Sequence, residues 1–375
     1  MFSVKEITKF EKTSLSDFTL CGAELLPKLL KQLEESPQRF LRTCTDSLIV
    51  CADYVGMTGS IKFPKLLKQL EKRERQRFSY LFEPLKRHGG FMIIDFHTHT
   101  FPNELAERAV GALAKSAKIC NYLDGTTMDL RRSMKNANID FSVLLPVATK
   151  PEQQGSINEI ALEINRHSDE TGLLSFGGIH PDNDNYRHIL RSLARNGVKG
   201  IKLHPVFQQT YIDDLRYLRI ISYACECELI VLIHSGYDIS HPHLEFSSVP
   251  HVASMLDTLH PQKIVLAHMG GWNCWEETEK YLIGKEVWLD TSFSLLPIRS
   301  APDMTQEKSE SYRLSPESFL RMVREHGANR VLFGSDSPWG GQAETLAALK
   351  ETGLTDEEQK AVLGENAAKL LQLPF

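Results

Sequence analysis

From residue 92 onward, short apolar runs alternate with segments of helical periodicity. Such runs are typical of strands that are buried on both faces of a parallel sheet. Eight of them are predicted strands: 92–97, 140–147, 174–180, 198–204, 229–234, 263–268, 286–290 and 330–335. Apolar residues three and four apart predict helices between them, including 104–118, 157–168, 186–195, 213–225 and 316–325.

This alternation predicts the fold class. Eight strand–helix units over about 280 residues are typical of a TIM (β/α)8 barrel. An open, doubly wound sheet is the alternative. No Gly-x-Gly-x-x-Gly motif follows a predicted strand, and polar residues follow nearly every strand instead of gathering at one switch point. The pattern favours an α/β barrel with a small, mostly helical N-terminal extension.

Residues 1–91 differ from the rest of the chain in charge and contain a repeat. They hold 16 basic and 11 acidic residues, a net charge of +5, whereas the remainder has a net charge of −10. The octapeptide Pro-Lys-Leu-Leu-Lys-Gln-Leu-Glu occurs at 27–34 and again at 64–71. Proline in the first turn and leucines three and four apart predict an amphipathic helix in each copy. We interpret 1–91 as an accessory region and 92–375 as the barrel.

Histidine or aspartate stands at the carboxyl end of most predicted strands. In a barrel these ends meet at one face, where active sites are built. His97 and His99 end the first strand, and residues two apart on a strand point to the same side. The later strand ends carry His180, His204, His234, His268, Asp290 and Asp336. Because such residues are costly to bury unpaired, their recurrence predicts a metal site.

Composition limits the compartment and the partners. The net charge of −5 gives no case for nucleic-acid binding, and no apolar run approaches the ~20 residues of a membrane span. The seven cysteines match no disulfide or zinc-binding spacing, so we expect a cytoplasmic protein. We also expect a small-molecule substrate, and homodimer formation stays open.

The motifs resemble those of the amidohydrolase superfamily, which has His-x-His on the first strand, His on the fifth and sixth, and Asp on the eighth. Four further segments resemble the amidohydrolase-related branch, which includes aminocarboxymuconate-semialdehyde decarboxylase. They are Gly-Ile-His-Pro at 178–181, Lys-Leu-His-Pro at 202–205, Ala-His-Met-Gly-Gly at 267–271 and Gly-Ser-Asp-Ser-Pro-Trp at 334–339. The resemblance covers residues 92–375 and does not extend to 1–91.

The resemblance implies a divalent metal, with zinc as the expected ion. Its ligands would be His97, His99, His234 and Asp336. Asp336 would also take a proton from the metal-activated water. His268 would act as an acid or base, or would bind a second metal.

The fourth strand departs from the pattern of two-metal members, which carry a carboxylated lysine or a glutamate there. In this chain Lys202 and His204 share one face of the strand. We favour one ion, with His204, His180 and Lys202 as substrate-binding residues. A second ion bridged by Lys202 is the alternative.

Three activities fit this site. The first is hydrolysis of an amide, lactone or ester bond in a small molecule by metal-activated water. The second is metal-dependent decarboxylation of a small carboxylated substrate. The third, a TatD-like nuclease, is disfavoured because that family requires a glutamate on the fourth strand, where this chain has Lys-Leu-His at 202–204.

All eight predicted strands lie within residues 92–375, so we expect this part to fold without the first 91 residues. Expression of 92–375 should give a soluble, metal-binding protein, measured by gel filtration and elemental analysis. An insoluble or metal-free product would contradict the division at residue 91.

Overall fold

The computed structural model describes residues 91–300 and 305–373. The predicted helices of the accessory region lie outside these residues, and the division at residue 91 stays a prediction. Within the described ranges, every helix is too short or too polar to cross a membrane.

All eight predicted strands are present, and the third is interrupted at Phe176. The segments are β1 Ile94–Thr98, β2 Phe141–Leu144, β3 Leu173–Ser175, β4 Gly177–Gly178, β5 Gly200–Leu203, β6 Ile230–Ile233, β7 Ile264–Leu266, β8 Trp288–Asp290 and β9 Val331–Leu332. The backbone N–H of Phe176 donates to Leu144 O at 2.9 Å, which continues the ladder with β2 across the interruption.

The five predicted helices are also present, with ends that differ by a few residues. The helices are α1 Asn103–Ala117, α2 Thr127–Ala137, α3 Gln154–Arg166, α4 Ser168–Thr171, α5 Tyr186–Arg195, α6 Leu215–Glu226, α7 Val249–Leu259, α8 Trp275–Tyr281, α9 Gln306–Ser311, α10 Pro316–His326, α11 Gln342–Lys350, α12 Asp356–Lys360 and α13 Asn366–Leu371.

The parallel sheet closes on itself. Strands β1 to β3 pair in chain order, and so do β4 to β9. Across the seam, the N–H of Phe96 donates to Phe333 O at 2.8 Å, and the N–H of Asp336 donates to His97 O at 2.9 Å. These bonds join the last strand to the first, which confirms the α/β TIM barrel.

Alternate residues of the strands pack on opposite sides of the barrel wall. In β6, Val231 and Ile233 belong to the apolar layer under the helices, which also includes Tyr217. Ile230 and Leu232 belong to the inner cluster, which α13 also joins. His234 continues the inner series, so the period of two carries it toward the inside of the barrel.

A pairing irregularity in β1 directs two consecutive side chains inward. The register with β2 shifts between Asp95 and Thr98. Phe96 contacts the ring of Phe176, and His97 lies 3.4 Å from the Nζ of Lys202. Such bulges recur beside active sites because they change where a side chain points. In a regular strand Phe96 and His97 would point to opposite sides. The irregularity lets His97 point toward the inside of the barrel, where Phe96 also packs.

His326 at the end of α10 is a buried structural histidine. Its Nε2–H donates to Val287 O at 2.9 Å, and its Nδ1 accepts the N–H of Gly284 at 3.2 Å. Burial lowers its pKa from 6.5 to about 4. The neutral ring is therefore the form that the folded protein stabilises.

We expect His326 to make the protein less stable in acid. The His326 ring takes up a proton near pH 6.5 in the unfolded chain and only near pH 4 in the folded chain. Its contribution to the free energy of unfolding is therefore complete above pH 6.5 and is lost as the pH falls from 6.5 to 4. The loss from pH 7 to pH 5 should reach about 2 kcal/mol. Urea unfolding of the wild type and of His326→Gln at pH 7 and pH 5 measures how much of the loss is due to His326. Equal losses in both proteins would contradict the assignment.

Candidate metal centre

Three of the predicted metal ligands converge at the carboxyl end of the barrel. The Nε2 atoms of His97 and His99 are 3.2 Å apart. They lie 3.3 and 3.2 Å from Oδ1 of Asp336. Asp336 adopts a left-handed conformation with a φ of 64°. We call His97, His99 and Asp336 the ligand triad.

The hydrogen bonds on the far side of each ring fix the protonation of the triad. Nδ1 of His97 lies 2.8 Å from a carboxylate oxygen of Asp290, and Nδ1 of His99 lies 2.8 Å from Leu145 O. Both partners only accept, so each neutral ring carries its proton on Nδ1. The two Nε2 atoms therefore face each other and the Asp336 carboxylate without a proton between them.

Three acceptors directed at one point fit a divalent cation. Bonds of about 2.0–2.2 Å to a tetrahedral ion would separate neighbouring ligands by about 3.4 Å. The observed separations of 3.2 and 3.3 Å are close to that value. Two imidazole nitrogens and one carboxylate oxygen suit zinc and manganese among other divalent metals.

Asp290 and Ser292 support this arrangement from β8 and the residues after it. Asp290 also accepts the N–H of His268 at 3.0 Å. The Ser292 hydroxyl donates to Asp290 and lies 3.0 Å from Nδ1 of His97 and 2.9 Å from Nδ1 of His268. Sequence reasoning left the role of Asp290 undecided and did not identify Ser292, because a serine two residues beyond a strand-end aspartate has no distinctive pattern.

His234, the fourth predicted ligand, faces His268 and is not part of the triad. Its Nδ1 lies 3.1 Å from Nε2 of His268. Its Nε2 lies 3.3 Å from Tyr237 O, and Nδ1 of His268 lies 3.0 Å from Ser292 O. Because both outer partners are carbonyls, each ring carries its proton on the outer nitrogen. The two facing nitrogens are then a second pair of acceptors without a proton.

Burial keeps these imidazoles neutral. It lowers the pKa of His234 to about 3 and that of His268 to about 4. It also holds the pKa of His97 well below 6.5, and the charge of Lys202 acts in the same direction. An additional proton between facing nitrogens is therefore disfavoured.

Lys202 is a buried ammonium beside the triad. Its side chain is 1% exposed, and its Nζ lies 3.4 Å from Nε2 of His97. Burial lowers its pKa to about 8, against the opposing charges of Asp290 and Asp336. At neutral pH Lys202 remains mostly protonated and brings one positive charge to the acceptors.

His204 stacks in a column beside His234. Its ring lies 3.9 Å from that of Phe207 and 4.1 Å from that of His234, with an angle of 12° between the two imidazoles. Asp238 Oδ2 lies 3.7 and 3.9 Å from their Nε2 atoms. Metal bonds run in the plane of an imidazole, so two parallel stacked rings cannot both direct lone pairs at one ion. We assign no ion to this group.

His180 contacts a different set of residues. Its backbone N–H donates to Gln154, and its Nδ1 accepts the N–H of Asp182 at 3.2 Å. The contact of His180 with a substrate remains a prediction from the sequence.

Comparisons with solved structures show the same fold. A putative 2-pyrone-4,6-dicarboxylic acid hydrolase from Pseudomonas putida is 17% identical with a TM-score of 0.53, covering 76% of this chain and 99% of that one. A 5-carboxyvanillate decarboxylase from Novosphingobium aromaticivorans, complexed with manganese, is 14% identical with a TM-score of 0.56, covering 77% and 99%. A 2,6-dihydroxybenzoate decarboxylase from Rhizobium is 16% identical with a TM-score of 0.54, covering 76% and 99%.

Sequence comparison identifies the family. No curated protein matches the chain significantly. The family model described as amidohydrolase matches residues 94–373, which include the whole barrel and every residue of the triad. The chain therefore belongs to the amidohydrolase family and is an enzyme of the amidohydrolase superfamily.

Proposed function

We propose that the protein is a divalent-metal-dependent hydrolase that cleaves an amide, lactone or ester bond in a small molecule. The observation that carries this proposal is the ligand triad, where two unprotonated imidazole nitrogens and a carboxylate lie 3.2–3.3 Å apart. Buried acceptors that face one another in this way are costly without a partner, and a cation would stabilise them.

We assign His97, His99, His234 and Asp336 as the ligands of one ion. The first two and Asp336 form the triad, and support for His234 comes from its unprotonated Nδ1, which lies 3.1 Å from an equally unprotonated nitrogen of His268. A cation near this pair would relieve the repulsion between two lone pairs. Zinc is the ion expected from the donor set, and the manganese of the decarboxylase complex makes manganese the second choice.

The residues around the ion have distinct tasks in hydrolysis. A bound divalent cation lowers the pKa of water toward neutrality and polarises the carbonyl under attack. The Asp336 carboxylate accepts the proton of the attacking water. His268 relays to the leaving group the proton that Asp336 accepts, and its pKa of about 4 makes the protonated ring a strong acid that gives up this proton readily. The Lys202 ammonium binds an anionic oxygen of the substrate.

Decarboxylation is the second candidate, and two of the solved structures named above favour it. Both are decarboxylases of substituted benzoates. In that reaction Lys202 and the ion would bind the carboxylate or a neighbouring oxygen of the substrate, and a protonated group would deliver a proton to the carbon that loses carbon dioxide. His204 would contact the same substrate from the stacked column beside His234.

One experiment tests both activities and the metal. The protein should contain one divalent ion per chain by elemental analysis and lose activity when a chelator removes it. Metal-loaded protein is then assayed with lactones, amides and esters for acid release, and with 2,6-dihydroxybenzoate and 5-carboxyvanillate for carbon dioxide. Carbon dioxide release without hydrolysis would replace the first proposal by the second. Full activity in metal-free protein would reject both.

We expect Asp290→Asn to weaken divalent metal binding about 10- to 100-fold, because carboxylates that orient a ligand histidine typically have this effect. The substitution removes the charged acceptor 2.8 Å from Nδ1 of His97. Competition with a chromogenic chelator measures the dissociation constant.

The matched control is Asp213→Asn, which breaks a similar pair with His251, 2.9 Å long, outside the centre. Metal affinity should be unchanged in this variant. Equal affinities in the two variants would show that Asp290 does not orient a ligand.

A further inference from the structure

Asp95 is a carboxylate inside the barrel wall, between the two segments that carry the ligand triad. Its side chain is fully buried. Its Oδ1 accepts the backbone N–H of Ser335 at 2.9 Å and that of His97 at 3.2 Å. Its Oδ2 accepts the Ser335 hydroxyl at 2.5 Å and the side-chain amide of Gln342 at 2.8 Å. One side chain thus receives four hydrogen bonds from three residues.

These bonds fix the residues on both sides of Asp336. Ser335, which precedes it, is held by its backbone and by its hydroxyl. The same hydroxyl accepts the N–H of Ser337 at 3.1 Å, so the residue after Asp336 is tied to the same point. Asp336 itself has a φ of 64°, which is unfavourable for a residue with a Cβ and persists only where the surroundings impose it.

Asp95 also acts on the other half of the triad. It is two residues before His97 and accepts that residue's N–H at the point where β1 leaves regular register. The same carboxylate therefore fixes the backbone of one imidazole ligand and the turn that presents the carboxylate ligand. The backbone bond from Asp336 N–H to His97 O connects the same two segments, and Asp95 adds side-chain bonds to that connection.

We propose that Asp95 is a positioning residue of the metal centre, which sets Asp336 relative to His97 and His99 through Ser335. This inference rests on the proposed function, because it requires that the triad binds the ion. Asp95 contributes no ligand atom, since its oxygens are occupied by Ser335, His97 and Gln342.

A purely structural role for Asp95 would affect stability and leave the centre unchanged, and Asp140 provides the comparison. Asp140 also ties β1, by accepting the N–H of Ile93 at 2.8 Å, but it does so at the opposite end of the strand from the triad. Substitution of either aspartate removes an anchor of β1. Of the two, only Asp95 is also bonded to the segment that carries Asp336.

The experiment compares Asp95→Asn with Asp140→Asn in the full-length protein. Asparagine at 95 would place an NH2 group where the carboxylate now accepts donors. We expect its affinity for Mn²⁺ and Zn²⁺ to fall about 10- to 100-fold, as for other residues that orient metal ligands. Asp140→Asn should keep the wild-type metal affinity even if its melting temperature is lower.

Ser335→Ala is the second variant. If Asp95→Asn does not fold, this variant tests whether the bond between Asp95 and Ser335 positions the metal ligands. It removes one hydroxyl, should weaken metal binding in the same direction and should shift the visible absorption of the Co²⁺-loaded protein. Ser175→Ala, which removes a buried hydroxyl bonded to Phe176 O, is its control and should do neither. If Asp95 acts through Ser335, the double variant should bind metal about as weakly as Asp95→Asn alone.

The outcomes separate this inference from the proposed function. If Asp336→Asn binds metal as tightly as the wild type, the proposed metal centre is wrong, and the proposed role of Asp95 is rejected as well. If Asp336→Asn binds weakly while Asp95→Asn and Ser335→Ala match their controls, only the positioning role is overturned. Additive effects of Asp95→Asn and Ser335→Ala would also overturn it.

Discussion

The site depends on buried hydrogen-bond acceptors that face one another with no proton between them. His97 and His99 each use their one proton in a bond to a partner that only accepts, and their remaining nitrogens meet a carboxylate. Burial lowers the pKa of His97 and so opposes a second proton on that ring, because the charged form loses its hydration there. The folded chain can satisfy these groups only with a positive charge, and this requirement explains why Lys202 is among them.

Closure of the barrel creates this arrangement. Residues that are more than 200 positions apart become neighbours because the last strand bonds to the first. The outward-facing residues of the strands anchor the wall to the helices, and the inner series ends in polar groups at the carboxyl face. The apolar packing fixes the positions of the strand ends, and the polar bonds between the ends fix the side chains.

The sequence predicted the strands well because their apolar runs are long and are separated by clear helical periodicity. The strand ends placed His97, His99 and Asp336 among the candidate site residues, and the family resemblance selected them as ligands together with His234. The sequence could not predict which nitrogen of His234 faces inward, because that depends on Tyr237 O and on the ring of His268. The roles of Ser292 and Asp95 were missed for the same reason. Their partners are set by tertiary contacts and leave no periodic pattern in the chain.

The ammonium of Lys202 has a consequence for the metal-free protein. A pocket built only from acceptors would repel itself when empty, and its walls would separate or unfold. Lys202 acts as an internal counter-ion at 3.4 Å from His97, so the empty pocket keeps part of its charge balance. Because this charge belongs to the chain itself and stays beside the ion, the balance does not depend on a bound metal, and we expect the barrel to fold before the metal binds.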